Sequence, residues 1–233
     1  MLIGIISDIH ANLPALEAVL AALQGAGADT IYCLGDTVGY GPFPNECVDL
    51  VRRHCGIVLK GNHDSGLIGE TDVEDFNHYG LVAIRWSQEH VTVENKNFLE
   101  SLPLVAVKNG VTLAHASPSR PGEWSYILTL RAARDNFPAF STHLCFIGHT
   151  HVPAVINEDL TIGNIKNGIR CIVNVGSVGQ PRDGNPDAAY GLFDTATNEY
   201  SLKRVPYDIQ KTADRIASEG LPEYLAKRLF QGV

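Results

Sequence analysis

The stretch LIGIISDIHANLPALEAVLAALQGAGADTIYCLGD, residues 2–36, decides the fold. An apolar run ends at Asp8 and His10, apolar residues then recur at the three- and four-residue spacing of an amphipathic helix through Leu23, and a second apolar run ends at Asp36. This order of strand, helix and strand predicts a βαβ unit. Open α/β sheets place their chemistry at the carboxyl ends of such strands.

Short polar motifs also follow three later apolar runs. These runs, at 57–60, 111–114 and 144–147, have the length and apolar character of buried strands. The motifs that follow them are Gly61-Asn62-His63-Asp64, His115 and Gly148-His149-Thr150-His151. We therefore expect polar side chains from five places in the chain to meet at the ends of strands.

Antiparallel strands and further helices complete the predicted architecture. Residues 104–107 and 111–114, joined through Asn109-Gly110, form the clearest hairpin pattern, and a second pair is predicted at 189–193 and 200–205. Helices are predicted over 45–54 with Asn45 as N-cap, within 72–90, over 95–102 and in a C-terminal tail at 208–231. The mixture fits an α/β chain in which two mixed sheets face each other with helices outside.

Composition limits the class of partner. The chain has 233 residues, a formal net charge of −8, 45% hydrophobic residues and 19% charged residues. That length fits a single α/β domain spanning 1–233. An acidic chain without a basic stripe does not neutralise a long nucleic-acid backbone, so we expect no such partner. A small phosphorylated substrate does fit, because bound metal cations reverse the local field.

The cellular compartment follows from the N-terminus and the cysteines. Met1 leads directly into a strand without the features of a secretory leader, and no stretch reaches the roughly 20 apolar residues of a membrane span. The five cysteines are odd in number and lack metal-type pair spacing, which favours buried reduced thiols. We therefore expect a cytoplasmic protein without a membrane partner.

The polar motifs carry the ligand types of a metal site. In Asp8-x-His10 and in His149-x-His151 one residue separates two polar groups, so on an extended backbone each pair would project from one side and reach one ion. Carboxylate and imidazole are the ligands expected for Mn, Fe, Co, Ni or Zn, whereas a structural zinc site would use thiolates. The motifs contain no cysteine.

Asp36 and Asn62 extend this ligand set. Gly35 allows a sharp turn that would bring the carboxylate of Asp36 between two ions. Two ions bridged in this way, about 3.5 to 4 Å apart, polarise phosphoryl oxygens and lower the pKa of a shared water. Asn62 offers a carbonyl oxygen without adding charge, which keeps the site attractive to phosphate.

His63 and Asp64 are the candidate catalytic residues. His63 directly follows a candidate ligand and, by alternation, should face the leaving group of the substrate as a general acid. Asp64 has two interpretations of equal weight. It could hold the imidazole of His63 in position, or it could stabilise the turn.

Taken together, the five motifs resemble the signature of the calcineurin-like metallophosphoesterase family: Asp-x-His, Gly-Asp, Gly-Asn-His-Asp or Glu, His, and Gly-His-x-His. All five occur here in the family's order, between residues 8 and 151, and any one alone would be weak evidence. The resemblance implies a four-layer αββα sandwich and a phosphoesterase in which hydroxide bound to a dinuclear metal centre attacks phosphorus. Manganese is the expected metal, with Fe, Ni, Co and Zn as alternatives.

The resemblance also implies a role for each matching position. The first metal would be held by Asp8, His10 and His151, the second by Asn62, His115 and His149, and Asp36 would bridge them. His63 matches the family's proton donor.

The departures from the family pattern indicate the branch. The protein Ser/Thr phosphatases continue the second motif with an arginine for the phosphomonoester dianion, whereas this chain continues it as Thr37-Val38-Gly39-Tyr40. The chain thus resembles the small bacterial and archaeal phosphodiesterase-like branch, which tends to cleave singly charged diesters. A phosphomonoesterase, a dinucleoside polyphosphate hydrolase and a non-catalytic scaffold like the related retromer subunit are the alternatives. Retention of His63 and all seven ligands counts against the scaffold.

The remaining candidates each have two interpretations. Asn12 could contact substrate phosphate or cap a helix, and Tyr40 could approach the pocket or pack in its turn. The glycine-rich run 174–184 could line the pocket, with Arg182 as its cation, or form a surface loop. The tail at 208–231 could pack on an outer layer or join a second copy of the chain as a homo-oligomer.

Overall fold

The computed structural model describes residues 1–166 and 168–233. Its strands are β1 (Leu2–Ile6), β2 (Thr30–Cys33), β3 (Ile57–Val58), β4 (Val105–Lys108), β5 (Val111–Ala114), β6 (Leu144–Ile147), β7 (Ala154–Asn157), β8 (Cys171–Asn174), β9 (Ala188–Asp194) and β10 (Glu199–Val205). Its α-helices are α1 (Leu13–Gly25), α2 (Pro44–His54), α3 (Asn62–Leu67), α4 (His78–His90), α5 (Val93–Glu100), α6 (Leu130–Asn136), α7 (Ile209–Ser218) and α8 (Glu223–Lys227).

The strands form two mixed five-stranded sheets. The first has the order β10-β9-β1-β2-β3. In it β1, β2 and β3 are parallel, and β9 is antiparallel to both of its neighbours, β1 and β10. The second has the order β4-β5-β6-β8-β7, with β5, β6 and β8 parallel. Both predicted hairpins are confirmed, because β4 pairs with β5 and β9 pairs with β10 in antiparallel register. The predicted α/β sandwich of two mixed sheets flanked by helices is therefore confirmed.

The main core lies between the sheets and is apolar on both sides. The first sheet contributes Ile3, Ile5, Tyr32, Leu34 and Leu59, and the second contributes Val111, Leu113, Leu144, Phe146 and Val173. On the outer face of the first sheet, α1 and α2 bury one side through residues such as Leu16 and Val51. Because β1, β2, β3, β5 and β6 are buried in this way, their carboxyl ends are fixed relative to one another.

Helix boundaries differ from the sequence prediction at three places. The predicted cap Asn45 lies inside α2, which begins with Pro44 at a position that suits the fixed φ of proline. The side-chain amide of Asn45 instead donates to the backbone oxygen of His90 and accepts the backbone amide of Thr92. The region 72–90 is helical only from His78, because the side chain of Asn77 accepts the Gly80 amide and caps α4. The helix expected at 95–102 is α5, which spans Val93–Glu100.

The C-terminal tail is not one helix but two. Gly220, with φ of 69°, allows the left-handed turn that separates α7 from α8. Ile216, Leu225 and Leu229 belong to one buried apolar cluster with Tyr40 and Ala83. The tail thus packs on its own domain, and a homo-oligomer stays a prediction.

All five cysteines are free thiols, and four of them are buried. Within the part of the chain that the structure describes, no helix has both the length and the apolar character that a bilayer crossing requires.

Candidate metal centre

The carboxyl ends of five strands bring the predicted site residues into one cluster. Asp8 and His10 follow β1, Asp36 follows β2, Asn62 begins α3 after β3, His115 follows β5, and His149 and His151 follow β6. Each of these seven side chains is at most 9% exposed. The cluster therefore lies at the edge where both sheets end, as expected for the chemistry of an open α/β sheet.

The cluster has two halves that share Asp36. In the inner group, formed by Asp8, His10 and His151, the Nε2 atom of His151 lies 3.0 Å from His10 Nε2 and 3.3 Å from Asp8 Oδ1. In the outer group, formed by Asn62, His115 and His149, the Nε2 atom of His115 lies 3.2 Å from Asn62 Oδ1.

Asp36 lies between the two groups. Its Oδ2 atom is 3.6 Å from Nε2 of His10 in the inner group and 3.3 Å from Nε2 of His115 in the outer group. Asp36, His115 and His149 also bring one ligand atom each within 4.8 Å of one another, as do Asp8, His10 and His151. One carboxylate therefore lies within reach of both halves.

Hydrogen bonds to residues outside the cluster fix which ring nitrogen of each histidine faces the cluster. Three histidines place Nδ1 against a backbone carbonyl: His10 against Val38 (3.1 Å), His115 against Leu34 (3.1 Å) and His151 against Gln180 (2.6 Å). A carbonyl oxygen only accepts, so Nδ1 carries the hydrogen and the lone pair of the neutral ring is on Nε2. This is the partner arrangement that orients histidine ligands of metals.

His149 has the opposite orientation. Its Nε2 atom lies 2.9 Å from the carbonyl oxygen of Trp124 and donates to it, which leaves the Nδ1 lone pair for the cluster. The ring is held in place by stacking on Tyr126 at 4.0 Å between centroids. Every candidate histidine ligand therefore has one nitrogen hydrogen-bonded to protein, and in the neutral ring the lone pair is on the other nitrogen, which faces the cluster.

The two carboxylates are anchored in a similar way. Asp8 Oδ2 accepts the backbone amide of His149 (2.9 Å), and Asp36 Oδ1 accepts that of His63 (2.8 Å). Asp8 Oδ1 is buried and has no hydrogen-bond partner among residues 1–166 and 168–233. An unpaired buried carboxylate oxygen is costly, so this atom fits a cation at the centre of the inner group.

The charges of the cluster are those of a metal-binding site. Burial acts to raise the pKa of both carboxyl groups, but interactions with neighbouring imidazoles hold it well below its usual range. His151 and His115 act in this way on Asp8, and His115 and His63 act on Asp36. For His115 burial acts to lower the pKa, but Asp36 raises it to about 9.

The remaining imidazoles are neutral near pH 7. Burial lowers the pKa of His149 to about 3 and also lowers those of His10 and His151. Metals bind the neutral form of imidazole and the ionised form of a carboxylate. Apart from the proton on His115, the candidate ligands are already in their metal-binding states.

The backbone explains how the paired motifs converge, and it corrects the sequence prediction. Asp8, His10, His149 and His151 have φ values of 54°, 49°, 66° and 61°, and Asp36 has 53°. These residues are in left-handed turns rather than in the extended backbone that the spacing argument assumed. Such conformations are uncommon outside glycine and concentrate at functional sites.

Two glycines of the motifs are required by close packing. A Cβ atom on Gly61 would lie 2.1 Å from Asp36 Oδ1, and one on Gly148 would lie 2.0 Å from Ser7 Oγ. Any larger residue would displace a ligand or the strand end that carries it. These glycines therefore belong to the cluster although they provide no ligand.

His63 lies beside the cluster, in contact with aromatic rings. Its ring centroid is 4.6 Å from Tyr40, 4.7 Å from Phe76 and 4.8 Å from His10. Its Nδ1 atom is buried without a partner among the described residues, and burial lowers the pKa of His63 to about 4 although Asp36 acts in the opposite direction. One of its nitrogens also lies within 4.8 Å of possible ligand atoms of His10 and Asp36, so the geometry permits a second role as ligand.

Asp64 has the turn-stabilising position rather than a contact with the His63 imidazole. Its Oδ1 accepts the amides of Thr37 (3.0 Å) and Val38 (3.2 Å), and its Oδ2 accepts that of Gly61 (2.9 Å). Burial and the charge of Asp36 raise the pKa of Asp64 to about 7, against the effect of these amides. Of the two interpretations, the structure favours the one in which Asp64 ties the second motif to the third.

Asn12 is likewise occupied by protein groups. Its Oδ1 accepts the Ala15 amide (3.4 Å) and the Thr212 hydroxyl (2.8 Å), and its Nδ2 donates to Gly179 (2.8 Å) and Tyr207 (3.1 Å). These contacts favour the helix N-cap over a contact with substrate phosphate. Asn12 therefore connects α1 to the run 174–184 and to the C-terminal tail.

The glycine-rich run at 174–184 lies directly behind the inner group. The Ser177 hydroxyl and the Gly179 amide both donate to the backbone oxygen of Asp8, at 2.7 and 3.0 Å, and Gln180 accepts from His151. Arg182, half-buried, places its guanidinium carbon 5.8 Å from the ring centroid of Tyr40. The run therefore supports the inner group through hydrogen bonds, and a place for Arg182 in the substrate pocket stays a prediction.

A cavity of about 290 Å³ opens onto the outer group and His63. Its wall contains site residues, four aromatic rings and three carboxylates, among them Asn62, His63, His149, Tyr40, Phe76, Trp124, Tyr126, Asp72, Asp75 and Glu123. The sequence pattern did not identify Trp124, Tyr126 or Phe76 as residues of the site. Their contribution depends on how the segments 71–77 and 121–126 fold over the strand ends.

These features agree with the family match. Residues 1–198 match the model of the calcineurin-like phosphoesterase superfamily domain. The chain belongs to this family, and the family is metal-dependent.

Relatives of known sequence or structure cover most of the chain. An uncharacterised protein of Methanocaldococcus jannaschii is 41% identical over 99% of this chain and 98% of its own length, and the phosphodiesterase YfcE of Escherichia coli is 28% identical over 81% and 84%. The crystal structure of a metallophosphoesterase from Sphaerobacter thermophilus superposes with a TM-score of 0.89 at 43% identity, over 100% of this chain and 99% of that one. These similarities support a hydrolase of phosphoesters.

Proposed function

We propose that this protein is a phosphodiesterase that hydrolyses small phosphodiesters with a dinuclear metal centre. The observation that carries the proposal is the convergence of five motifs into one buried cluster whose outer hydrogen bonds direct lone pairs inward. The buried unpartnered oxygen of Asp8 gives independent support for a cation there. The name of the relative YfcE supports diesters as the substrate class.

The residues that would hold the metals are those of the two groups. Asp8, His10 and His151 would hold one ion, Asn62, His115 and His149 the other, with Asp36 shared. Two divalent cations bound there would polarise the phosphoryl oxygens and provide hydroxide near neutral pH. Manganese, or Fe, Ni, Co or Zn, suits these carboxylate, amide and imidazole ligands.

His63 would supply the proton that the leaving oxygen needs. It lines the cavity next to the outer group, where the leaving group of a substrate would lie. Its low pKa in the free protein leaves the ring neutral, and the negative charge of a bound phosphoryl group would favour its protonated form. The aromatic contacts with Tyr40 and Phe76 would hold the ring in one orientation during the transfer.

The shape and lining of the cavity would position the rest of the substrate. Tyr126 and Trp124 provide apolar faces beside His149, and the carboxylates of Asp72 and Asp75 disfavour a highly charged leaving group at the rim. We further propose that Arg182, near the inner group, contacts the phosphoryl oxygens of the substrate. An arginine at this point would also suit a phosphomonoester or a phosphoanhydride, so the assay includes both.

The test compares three substrates with metal-stripped protein to which Mn²⁺ is added back. We expect Mn²⁺-dependent turnover of bis-p-nitrophenyl phosphate at least about tenfold faster than that of p-nitrophenyl phosphate or of diadenosine tetraphosphate. Faster turnover of p-nitrophenyl phosphate would instead indicate a phosphomonoesterase, and faster turnover of diadenosine tetraphosphate would indicate a dinucleoside polyphosphate hydrolase. Loss of turnover with all three, in protein shown by elemental analysis to hold metal, would favour the non-catalytic scaffold.

A further inference from the structure

Tyr126 lies beside the candidate metal centre and presents part of its ring to solvent. One face of the ring stacks on the imidazole of His149, with 4.0 Å between the ring centroids and 18° between the planes. The residue is nonetheless 50% exposed, and no second aromatic ring stacks on it in the part of the chain that the structure describes. A flat apolar surface is therefore accessible one ring away from a candidate metal ligand.

The ring of Tyr126 rests on a support that hydrogen bonds hold in place. His149 donates from Nε2 to the carbonyl oxygen of Trp124 at 2.9 Å. The indole Nε1 of Trp124 donates to the Thr71 hydroxyl at 3.0 Å, and that hydroxyl lies 2.8 Å from the hydroxyl of Ser65 in α3. These bonds connect the segment that carries Tyr126 to the opposite wall of the cavity. A surface that is already in position loses little freedom when a ligand binds to it.

Tyr126 belongs to the walls of two neighbouring cavities. The first is the cavity of about 290 Å³ that also contains His63 and His149 in its wall. The second has a volume of about 410 Å³, and its wall contains polar side chains such as Ser117 and Asn136. A phosphodiester carries two substituents on phosphorus. With the phosphoryl group at the metal cluster, one of these substituents would extend past the ring of Tyr126.

The lining of the first cavity suits a planar group without a negative charge. Four aromatic rings and three carboxylates lie in its wall. The carboxylates disfavour an additional anionic group there, and the faces of aromatic rings attract other flat rings. The volume of about 290 Å³ is at the lower end of the range for small-molecule pockets, which starts at roughly 300 Å³. A single planar ring system is the group that best matches these properties.

We propose that the exposed face of Tyr126 is a stacking platform that selects phosphodiesters with a planar aromatic substituent, either a nucleobase or an aryl group. The inference rests on the proposed function, because it assigns the phosphoryl group to the metal cluster. Tyr126 is then a residue that determines specificity and takes no part in bond cleavage. Stacking does not depend on the hydrogen-bonding pattern of the ring, so we expect selection for an aromatic ring rather than for one particular base.

Two matched pairs of ligands test the platform by binding, without requiring turnover. Phenylphosphonate and cyclohexylphosphonate have the same charge and a similar size, but only the first has an aromatic ring. Thymidine 5′-phosphate and 2-deoxyribose 5-phosphate differ in the presence of the base. Each ligand is titrated by calorimetry into the Mn²⁺-loaded protein. We expect phenylphosphonate to bind about fivefold more tightly than its partner, and thymidine 5′-phosphate about tenfold more tightly than its partner.

Three variants assign these preferences to one ring. Tyr126→Leu keeps an apolar side chain but removes the ring, so the ratio of affinities in each pair should fall to about one. Tyr126→Phe keeps the ring and should keep both preferences. Tyr224→Leu is the matched control, because Tyr224 is also exposed (42%) and stacks on Tyr79 at 4.4 Å but lines neither cavity. It should behave as the wild-type protein does, and thermal melts confirm that all three variants fold.

Inorganic phosphate distinguishes a platform from a purely structural role of Tyr126 in holding His149. Phosphate carries no substituent that could stack, so its affinity for Tyr126→Leu should stay close to that of the wild-type protein. The manganese content per chain should also be unchanged. A parallel fall in the affinities for phosphate and for phenylphosphonate would show that Tyr126 only supports the metal ligand, and this result would overturn the platform.

Other results would also overturn the platform. They are equal binding within both pairs by the wild-type protein, no binding of any of the four ligands, a preference that survives in Tyr126→Leu, or its loss in Tyr126→Phe. Preferences in both pairs support a nucleobase as the substituent, and a preference in the first pair alone supports an aryl group. Turnover of bis-p-nitrophenyl phosphate by the same samples tests the proposed function separately. Hydrolysis without either preference would refute the platform alone, and the preferences without hydrolysis would refute the diesterase alone.

Discussion

The inner and outer groups of the cluster use similar ligands but differ in access. The side chains of Asp8, His10 and His151 are at most 2% exposed, and none of them lines the cavity. Asn62 and His149 of the outer group are 9% and 4% exposed and form part of its wall. An ion in the inner group would thus be enclosed by protein, and one in the outer group would face arriving substrate. Ligand type alone therefore does not set the role of a candidate metal position.

The hydrogen bonds between the histidine rings and backbone carbonyls also differ between the inner and the outer group. His10 and His151 are held by backbone carbonyls of the turn at Val38 and of the run containing Gln180, both fixed by packing on β1 and its neighbours. His149 is held by the carbonyl of Trp124, a residue of the cavity wall with a left-handed φ of 54°. Rearrangement of the cavity wall would therefore affect the outer group first.

The largest effect should come from the residue that both groups share. Asp36→Asn removes the negative charge between the groups, so affinity for both ions should fall by more than the roughly 10- to 100-fold typical of losing an outer partner. Turnover should fall below detection. Metal content per chain after dialysis measures the effect, and Asp49→Asn, at an exposed ion pair, is the control. Retention of one ion at full affinity would show that Asp36 belongs to one group only.

The next effect separates catalysis from metal binding. His63→Gln should leave two ions bound and reduce turnover by roughly 10² to 10⁴, the usual contribution of general acid catalysis, with the greater loss for poor leaving groups. Elemental analysis and a series of phenyl esters measure the two quantities. Full activity with a poor leaving group would contradict the proton-donor role. Loss of one ion would instead make His63 a ligand, as its distance to His10 and Asp36 permits.

A pair of histidine variants tests the division itself. His149→Ala should weaken binding of one ion by about 10- to 100-fold and leave the other tightly bound, and His151→Ala should do the reverse. The ion that remains in His149→Ala should exchange slowly with added ⁵⁴Mn²⁺, because its ligands are enclosed. Equal losses of both ions in both variants would mean that the two halves bind as one unit.

The smallest effect is a proton released on metal binding. In the metal-free protein the pKa of His115 is raised to about 9, so at pH 8 its imidazole is protonated and must lose that proton to bind. The affinity for metal should therefore rise with pH until about pH 9, by up to about tenfold per pH unit, and should be constant above that pH.

Calorimetry at pH 8 in two buffers with different ionisation enthalpies counts the protons. This pH is chosen because Asp64, with a pKa of about 7, is already ionised there. One proton should appear at pH 8 and none well above pH 9. The absence of release at pH 8 would show that His115 is already neutral.

Much of the fold was predictable because it depends on local patterns. Apolar runs of strand length, the hairpin turn at Asn109-Gly110 and the helical spacing of α1 all carry their information within a few residues. Errors fell at helix ends. Asn45 has the right residue type for a cap, but Pro44 starts the helix one position earlier and the amide finds partners near α5.

The site was predictable in its members but not in its geometry. The spacing of Asp8 and His10 suggested a shared ion through an extended backbone, whereas left-handed turns bring these side chains to the cluster. The turns are maintained by long-range hydrogen bonds, such as those from Asp8 and His10 to the backbone of 35–36, which no local pattern reveals.

The cavity wall and Arg228 lay beyond sequence reasoning altogether. Trp124 and Tyr126 reach the site because the segment after β5 folds back over the strand ends, and Arg228 reaches Tyr40 only because α7 and α8 pack on the domain. The sequence around an arginine on an amphipathic helix does not predict which aromatic ring it contacts in the folded protein. The absence of an arginine from the second motif therefore does not by itself show how many cations lie near the site.

Residue type and spacing along the chain were sufficient to predict the family, the positions of most strands and the candidate ligands. The folded chain was needed to show which lone pairs face the cluster, which group of candidate ligands opens to the cavity and which cations lie nearby. These properties arise from contacts between segments that lie far apart in the chain, such as the approach of Arg228 to Tyr40. Their formation depends on the packing of both sheets and the tail.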